Sequence, residues 1–271
     1  MIAALRTEYR KLVTTRLWWV LLLVMAGYMA FLGATMGYVL SAPGAASTGM
    51  PGASPAPELD PADVARTVYS LSAALGYVFP VVVGALSVTG EFRHLTLTPT
   101  FLAEPRRTLV LGAKALATVP VGVLFGLAGA ASTVLGGAAV LALRGEPTLL
   151  TDPEVLRTLG LTVLALTVWT AVGVGFGAAV PSQVGAVVVL LAFTQFVEPL
   201  LRMLLAVNEP TSGIARFLPG AAGEAITGAS LYSSLGAGDL LAWWQGLLVL
   251  LGYGLLLAVI GRVTTLRRDV T

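Results

Sequence analysis

Residues 17–40 read LWWVLLLVMAGYMAFLGATMGYVL and contain no charged side chain. A helix needs about 20 predominantly apolar residues to cross the ~30 Å hydrocarbon core of a bilayer, so this run is long enough to span a membrane. It also exceeds the ~7–15 apolar residues of a signal peptide, and Arg6, Arg10, Lys11 and Arg16 precede it. We therefore interpret it as a retained transmembrane helix.

The composition of the whole chain agrees with a membrane protein. Of its 271 residues 56% are hydrophobic and only 11% are charged, whereas soluble domains carry about 25% charged residues. The chain has no cysteine, which excludes disulfides, thiolate metal sites and cysteine nucleophiles. Its single histidine, His94, excludes a cluster of histidine ligands within one chain.

Apolar runs bounded by charged residues predict an all-α membrane protein with six transmembrane helices in a single domain, residues 1–271. The glycine pair Gly33 and Gly37 has GxxxG spacing, which allows helices to approach closely but also reflects the general frequency of glycine in membrane helices. The predicted spans are residues 17–40, 67–89, 115–143, 158–180, 184–207 and 240–261.

The distribution of Lys and Arg predicts the orientation of these spans. Both termini and the loop between spans two and three share one side, which carries most of the basic residues, while most acidic residues fall on the other side. The positive-inside rule then places the N- and C-termini in the cytoplasm of a multi-pass protein, with the bacterial cell membrane as the expected location.

Two segments outside the spans are also predicted to be helical. Residues 1–16 combine apolar and basic positions at helical spacing, which predicts an amphipathic interfacial helix; the alternative is a basic flank that only fixes topology. Residues 208–239 are too interrupted to span but too apolar for a solvated loop, which favours re-entrant helices before the last span; the alternative is a compact external cap.

The fifth span carries a polar stripe. Charged groups at membrane depth are costly and usually face a cavity or a partner helix. Two roles are open for the stripe: an ion pair that stabilises packing, or part of an export pathway or outer gate. The residues of the stripe are Thr194, Gln195, Glu198 and Arg202.

The loop of residues 90–114, GEFRHLTLTPTFLAEPRRTLVLGAK, mixes acidic, basic and apolar side chains. Such a mixture suits a docking surface for another protein. An ordinary topogenic loop would explain its basic residues but not Phe92, Phe101 and Leu102. The candidate docking residues are Glu91, Phe92, Arg93, Phe101, Leu102, Glu104, Arg106 and Arg107.

Over essentially its whole length the chain resembles the ABC-2 type permease family, the membrane subunits of ATP-driven exporters. The resemblance rests on the N-terminal LRTEYRKLVTTRLWW, on six spans, on the long segment before the last span, and on the 90–114 loop. The family pattern in that loop is matched at Glu91, Thr96, Pro105, Arg106 and Lys114.

The resemblance implies a coupling loop that fits a separate ATPase subunit, present in two copies, and a second permease copy or paralogue. The chain contains no GxxxxGK[ST] phosphate loop, so ATP and Mg²⁺ are expected on the partner and no cofactor on this chain. We expect that the chain has no catalytic residue and no metal site and that it does not bind nucleic acid. Membrane lipids are expected to surround it.

The predicted function is export of an amphiphilic small molecule, peptide or lipid by alternating access. Two alternatives are an integral membrane enzyme, such as a protease or lipid-modifying protein, and a membrane anchor without transport activity. Against the enzyme, the sequence has no HExxH motif, and Glu198 is the only acidic residue clearly inside a predicted span.

Overall fold

The computed structural model describes residues 2–41, 60–206, 209–230 and 240–265. Within these ranges every regular element is a helix. Six helical runs are long and apolar enough to cross a membrane. The predicted helical class and the six candidate spans are therefore confirmed, while residues 208 and 231–239 of the predicted re-entrant segment lie outside the described ranges.

Twelve α-helices and one π-helical turn make up the described part of the chain. In chain order they are α1 (Ile2–Thr14), α2 (Leu17–Leu40), α3 (Pro61–Ala74), α4 (Val78–Arg93), α5 (Leu97–Ala103), α6 (Arg107–Leu143), α7 (Pro153–Ala179), α8 (Gln183–Ala192), the π-helical turn (Phe193–Val197), α9 (Glu198–Ala206), α10 (Glu209–Ala215), α11 (Pro219–Thr227) and α12 (Trp243–Thr264).

Several helices extend past the charged residues that bound the predicted spans. The run predicted at 67–89 begins at Pro61, where the Asp60 carboxylate accepts a hydrogen bond from the Ala62 amide at 3.1 Å. The run predicted at 158–180 begins at Pro153, and Asp152 caps it in the same way. These caps satisfy amides that would otherwise lack partners, so the helices start earlier than hydropathy alone indicates.

Most of residues 90–114 are helical. Helix α4 continues to Arg93, α5 occupies Leu97–Ala103, and α6 begins at Arg107, eight residues before the third predicted span. Charged residues such as Glu91 and Lys114 lie within these helices because they pair with each other. The segment is therefore a short helix between two long ones.

Two of the candidate spans are irregular near their middle. Residues 75–77 form a turn between α3 and α4, and the fifth span widens into the π-helical turn between α8 and α9. Pro80 and Pro199 follow these irregularities by a few residues. Proline has no backbone N–H, so Pro80 and Pro199 cannot donate to the carbonyls of Gly76 and Gln195, which explains both departures from α-helical bonding.

Helix α7 lies at the centre of the bundle and packs against α4, α6 and α12. The backbones approach closely at glycines: a Cβ atom on Gly173 would collide with the carbonyl oxygen of Val81. A Cβ on Gly33 would lie 2.5 Å from the Thr133 carbonyl oxygen, and Gly37 faces Gly137. The GxxxG pair in α2 therefore serves contact with α6 within one chain.

Large apolar side chains are exposed around the outside of the bundle. Leu23, Phe31 and Leu255 are 61%, 66% and 69% exposed. Soluble monomers rarely expose apolar surface of this extent, whereas a bilayer solvates it at no cost. The outward faces of α2 and α12 therefore agree with the hydropathy of the sequence.

The close contact at Gly173 predicts the direction in which a substitution there changes the free energy of unfolding. Gly173→Ala should lower the free energy of unfolding by about 1–3 kcal/mol, because the added methyl group forces α4 and α7 apart. Gly252→Ala is the matched control, since a Cβ on Gly252 meets nothing within 4 Å. Alanine favours helix over glycine by ~0.5–1 kcal/mol, so the control should be neutral or stabilising. Thermal unfolding of the purified variants in one detergent measures both, and equal melting temperatures would contradict this packing.

Candidate functional site

Four charged side chains from three helices form a buried cluster, which we call the N-terminal cluster: Glu8 and Lys11 of α1, Glu91 of α4 and Lys114 of α6. The Lys11 Nζ lies 2.8 Å from Glu8 Oε1 and 2.7 Å from Glu91 Oε1. Lys114 Nζ lies 2.8 Å from the same Glu91 oxygen and also pairs with Glu8 Oε2. Each carboxylate thus bridges both lysines.

Both ammonium groups also bond to groups other than the two carboxylates. Lys11 donates to Glu8, to Glu91 and, at 3.1 Å, to Thr100 Oγ1 of α5, which uses its three N–H donors. Lys114 donates to Glu8 and, at 3.3 Å, to the Ser87 carbonyl oxygen, and its contact with Glu91 is an ion pair. The cluster therefore joins α1, α4, α5 and α6 through specific bonds.

The formal charges of the N-terminal cluster balance, with two lysines and two glutamates. Glu8, Glu91 and Lys114 are only 6%, 7% and 3% exposed. Burying such charges is costly, and removing one partner of a buried pair typically costs about 3–5 kcal/mol because the other charge is left uncompensated. The fixed geometry of the four helix segments therefore depends on all four side chains.

The pKa of Lys11 also reflects this cluster. Partial burial lowers the pKa, but hydrogen bonds to Glu8 and Glu91 and the attraction of both carboxylates outweigh burial, so the pKa is raised above its usual value. A raised lysine pKa contributes stability that is complete below the pKa of the unfolded chain. That contribution is lost only when the pH rises through the higher pKa of the folded protein.

The structure divides the predicted docking residues into two groups. Glu91 faces inward to Lys11 and Lys114, and Phe92 packs beside Val88 and Val174. In the described conformation Glu91 is buried and Phe92 is partly buried, so these two offer less surface to a partner than the exposed residues of the same segment do. Lys11 of α1 also contacts the cluster, while 37% of its side chain stays exposed.

The remaining docking candidates lie on or next to α5. Arg93 hydrogen-bonds to Gln183 at 3.2 Å, the Arg107 guanidinium lies 5.2 Å from the centre of the Phe101 ring, and Arg106 pairs with Glu104 at 2.9 Å. The hydrogen bond from Arg106 lowers the pKa of the partly buried Glu104, a contribution to stability that is lost as the pH falls through that lowered value.

Three exposed side chains here define what we call the α5 surface: Leu95, Leu102 and Arg106. Leu95 and Leu102 are 70% and 80% exposed. Leu95 also has a φ of 55°, a left-handed conformation that costs a bulky residue on the order of 1–2 kcal/mol. A strained apolar residue that is held in water is often found where a protein binds something.

The polar stripe of the fifth span belongs to a second buried cluster, the Arg202 cluster of Glu198, Arg202, Glu224 and Ser230. Arg202 Nη2 lies 2.8 Å from Glu198 Oε1, and Arg202 Nη1 lies 2.6 Å from Glu224 Oε1. Ser230 Oγ donates to the other Glu224 oxygen. The predicted Glu198–Arg202 pair is therefore present, and α11 supplies a second carboxylate.

Sequence reasoning missed three participants in these clusters. Glu8 and Glu224 have no role in the prediction from sequence. Both are acidic residues within apolar or basic surroundings, FLPGAAGEAIT and LRTEYRKL, and that isolation was an available signal. Ser230 carried no such signal, because its role depends on the tertiary position of α11.

The other two stripe residues, Thr194 and Gln195, line a cavity of about 120 Å³ next to Glu198. Tyr77, in the turn between α3 and α4, lines the same cavity, donates to the Thr194 carbonyl oxygen at 3.4 Å, and stacks on Trp169 with ring centres 4.3 Å apart. The π-helical turn and the break in the second span therefore meet at one cavity. All four predicted stripe residues lie around it.

No three His, Cys, Asp or Glu side chains of the described residues converge in a way that could hold a metal ion. The two clusters are the sites where charged groups are buried together in this part of the chain. One has balanced formal charges and connects helices near α5, and the other has two carboxylates for one guanidinium in the interior of the bundle.

Loss of one lysine tests the structural role of the N-terminal cluster. Lys114→Met should lower the free energy of unfolding by about 3–5 kcal/mol and increase amide hydrogen exchange in α1, because two buried carboxylates then share one lysine. Adding Glu8→Gln to Lys114→Met should restore part of the loss. Arg106→Met, which removes an exposed arginine with a single surface ion pair, is the control; it should lower the free energy of unfolding by less than about 1 kcal/mol and leave hydrogen exchange in α1 unchanged. Strictly additive losses in the double variant would contradict charge balance as the cause.

No protein-family model matches the chain, and no curated protein matches it. The ABC-2 type resemblance remains a prediction from the sequence, and the function rests on the two clusters and the surfaces beside them.

Proposed function

We propose that this chain is the membrane permease subunit of an ABC-2 type transporter. It would export an amphiphilic small molecule, peptide or lipid by alternating access, with ATP and Mg²⁺ bound by a separate ATPase present in two copies. A second permease copy or a paralogue completes the pathway. The observation that carries this proposal is the N-terminal cluster, because it makes a rigid unit of the helices next to the predicted coupling region.

Force transmission requires that a push on α5 reach the spans. Thr100 of α5 bonds to Lys11, and Lys11 shares Glu91 with Lys114 of α6. Glu91 lies in the last turn of α4, so the cluster connects α5 to the ends of two candidate spans. A movement of α5 would therefore shift α4 and α6 together with α1, which is what a coupling element needs.

In this proposal the α5 surface is the part of the coupling region that contacts the ATPase subunit. Leu95 and Leu102 are apolar anchors in an otherwise polar setting, and Arg106 adds charge at the rim. Transient interfaces concentrate their binding energy in a few such anchors surrounded by polar residues. In this proposal the exposed Leu95, Leu102 and Arg106 make the first contact with the ATPase, and the buried Glu91 transmits the movement of α5 to α4 and α6.

Charge and exposure support the proposed placement of the chain in the membrane. Tyr9 and Val13 of α1 are exposed next to Leu17 and Trp19 at the start of α2, which supports an interfacial α1. The positive-inside rule puts α1, α5 and both termini in the cytoplasm of a bacterial cell. Helix α11 lies against Trp169 in the middle of α7, since a Cβ on Gly223 would be 2.6 Å from its Nε1. Such depth supports a re-entrant α10–α11 segment.

A cavity between α1 and α4 supports an amphiphilic cargo. Its volume is about 510 Å³, and its lining combines Trp18, Val83 and Leu86 with Lys11 and Glu91. Ligand pockets of drug-sized molecules measure roughly 300–1,000 Å³ and combine apolar walls with a few polar groups. An amphiphile from the inner leaflet matches this lining better than a long polar polymer does.

A pair of exposed leucines tests the docking surface. Leu102→Asp in the tagged full-length chain should reduce the amount of ATPase that co-purifies and the ATP hydrolysis of the complex, by a free energy on the order of 1–3 kcal/mol per anchor. Leu143→Asp is the matched control, because Leu143 is 87% exposed but ends α6 far from α5. Equal ATPase recovery and activity in both variants would contradict the docking role of α5.

A further inference from the structure

The Arg202 cluster contains one carboxylate more than it has cations. Glu198 and Glu224 both pair with Arg202, and the three residues are 1%, 1% and 5% exposed. The N-terminal cluster shows that this chain can balance two buried carboxylates with two cations. In the Arg202 cluster the described residues leave one negative charge without a counterion.

One oxygen of this cluster is also without a hydrogen bond. Glu198 Oε1 accepts from Arg202 and from the Ala221 amide, the latter at 3.1 Å. Glu198 Oε2 is buried and has no hydrogen-bond partner among the described residues. Leaving a buried acceptor unsatisfied costs about 1–3 kcal/mol, and more for a charged group, so such an atom calls for a partner such as a water or an ion. Glu91 Oε2 of the N-terminal cluster is also buried without a hydrogen bond, but the formal charges of that cluster balance.

The unsatisfied carboxylate lines the cavity of about 120 Å³ between the turn at Tyr77 and the π-helical turn. Other oxygens line this cavity. The Thr194 hydroxyl donates to the Leu190 carbonyl oxygen at 2.7 Å and accepts from Gln195 Nε2 at 3.4 Å, which leaves one of its two lone pairs and the Gln195 side-chain oxygen as further acceptors. Interrupted membrane helices commonly line ion and substrate sites, because their irregular backbone is tolerated only beside protein or a hydrated cavity.

Size and donor type limit what the cavity can take. It is well below the roughly 300 Å³ at which drug-sized pockets begin, but large enough for a small ion with water, since one water fills about 30 Å³ of liquid. Carboxylate, hydroxyl and amide oxygens suit hard cations and ammonium groups rather than soft transition metals.

We propose that this cavity binds one small monovalent cationic group, with Glu198 Oε2 as its charged ligand. The source of that group is either a free alkali ion or the primary ammonium group of a transported molecule. The site goes beyond the proposed export function and needs no ATPase partner, so its failure would leave the transport proposal standing.

Equilibrium binding to the purified full-length chain tests the site. The probes are radiolabelled sodium and radiolabelled methylammonium, with N-methylglucamine, which exceeds the cavity, as the balancing cation. We expect saturable binding of one probe per chain. Glu198→Gln should weaken binding about tenfold or more, because it keeps an acceptor for Arg202 but removes the charge. Glu154→Gln is the control, since Glu154 is an exposed carboxylate that pairs with Arg66 at 2.7 Å.

The sodium and methylammonium probes distinguish a free alkali ion from the ammonium group of a transported molecule. Binding of sodium alone supports an inorganic ion, binding of methylammonium alone supports a transported amine, and mutual competition supports one site that takes either. The melting temperature in sodium, methylammonium and N-methylglucamine chloride is a second readout on the wild-type protein. The proposal is overturned if neither probe binds the monodisperse wild-type chain, or if Glu198→Gln binds as well as wild type; a proton would then carry the extra charge.

Discussion

The packing of α1, α4, α5 and α6 depends on the cost of burying charged side chains where water cannot solvate them. Lys114 is 3% exposed, and it is tolerated only because Glu8 and Glu91 surround it. Glu8 comes from the short helix α1, which also buries Leu12 in the core. The same ion pairs that make Lys114 tolerable therefore hold α1 in place and connect α5 to the spans.

The two buried clusters differ in charge, and this difference separates their roles. The N-terminal cluster has balanced formal charges and connects α1, α4, α5 and α6, so we interpret it as a fixed joint. The Arg202 cluster has an unmatched carboxylate beside a cavity and between two interrupted helices, so it serves as a binding site. Helix α4 runs between them: from Tyr77 at its start to Glu91 in its last turn are 14 residues, or roughly 21 Å at 1.5 Å per residue.

Hydropathy was sufficient to predict the six helical spans, because only a lipid bilayer readily solvates an uncharged apolar run such as residues 17–40. It was not sufficient for the helix starts at Pro61 and Pro153, which are set by the caps Asp60 and Asp152. The Glu198–Arg202 pair followed from i, i+4 spacing on one helix. The partners Glu8 and Glu224 did not, because they are distant in sequence from Lys114 and Arg202 and become neighbours only through the packing of α1 and α11.

Site-specific photocrosslinking from the α5 surface tests the central claim most directly. The chain has no cysteine, so Leu102→Cys and Leu143→Cys can each carry a single benzophenone label in otherwise unchanged protein. Our account predicts that illumination of the intact membrane complex crosslinks the label at position 102 to the ATPase subunit, with a yield that changes when ATP is added, and that position 143 gives no such product. Absence of an ATPase crosslink from position 102, or equal yields from both positions, would contradict it.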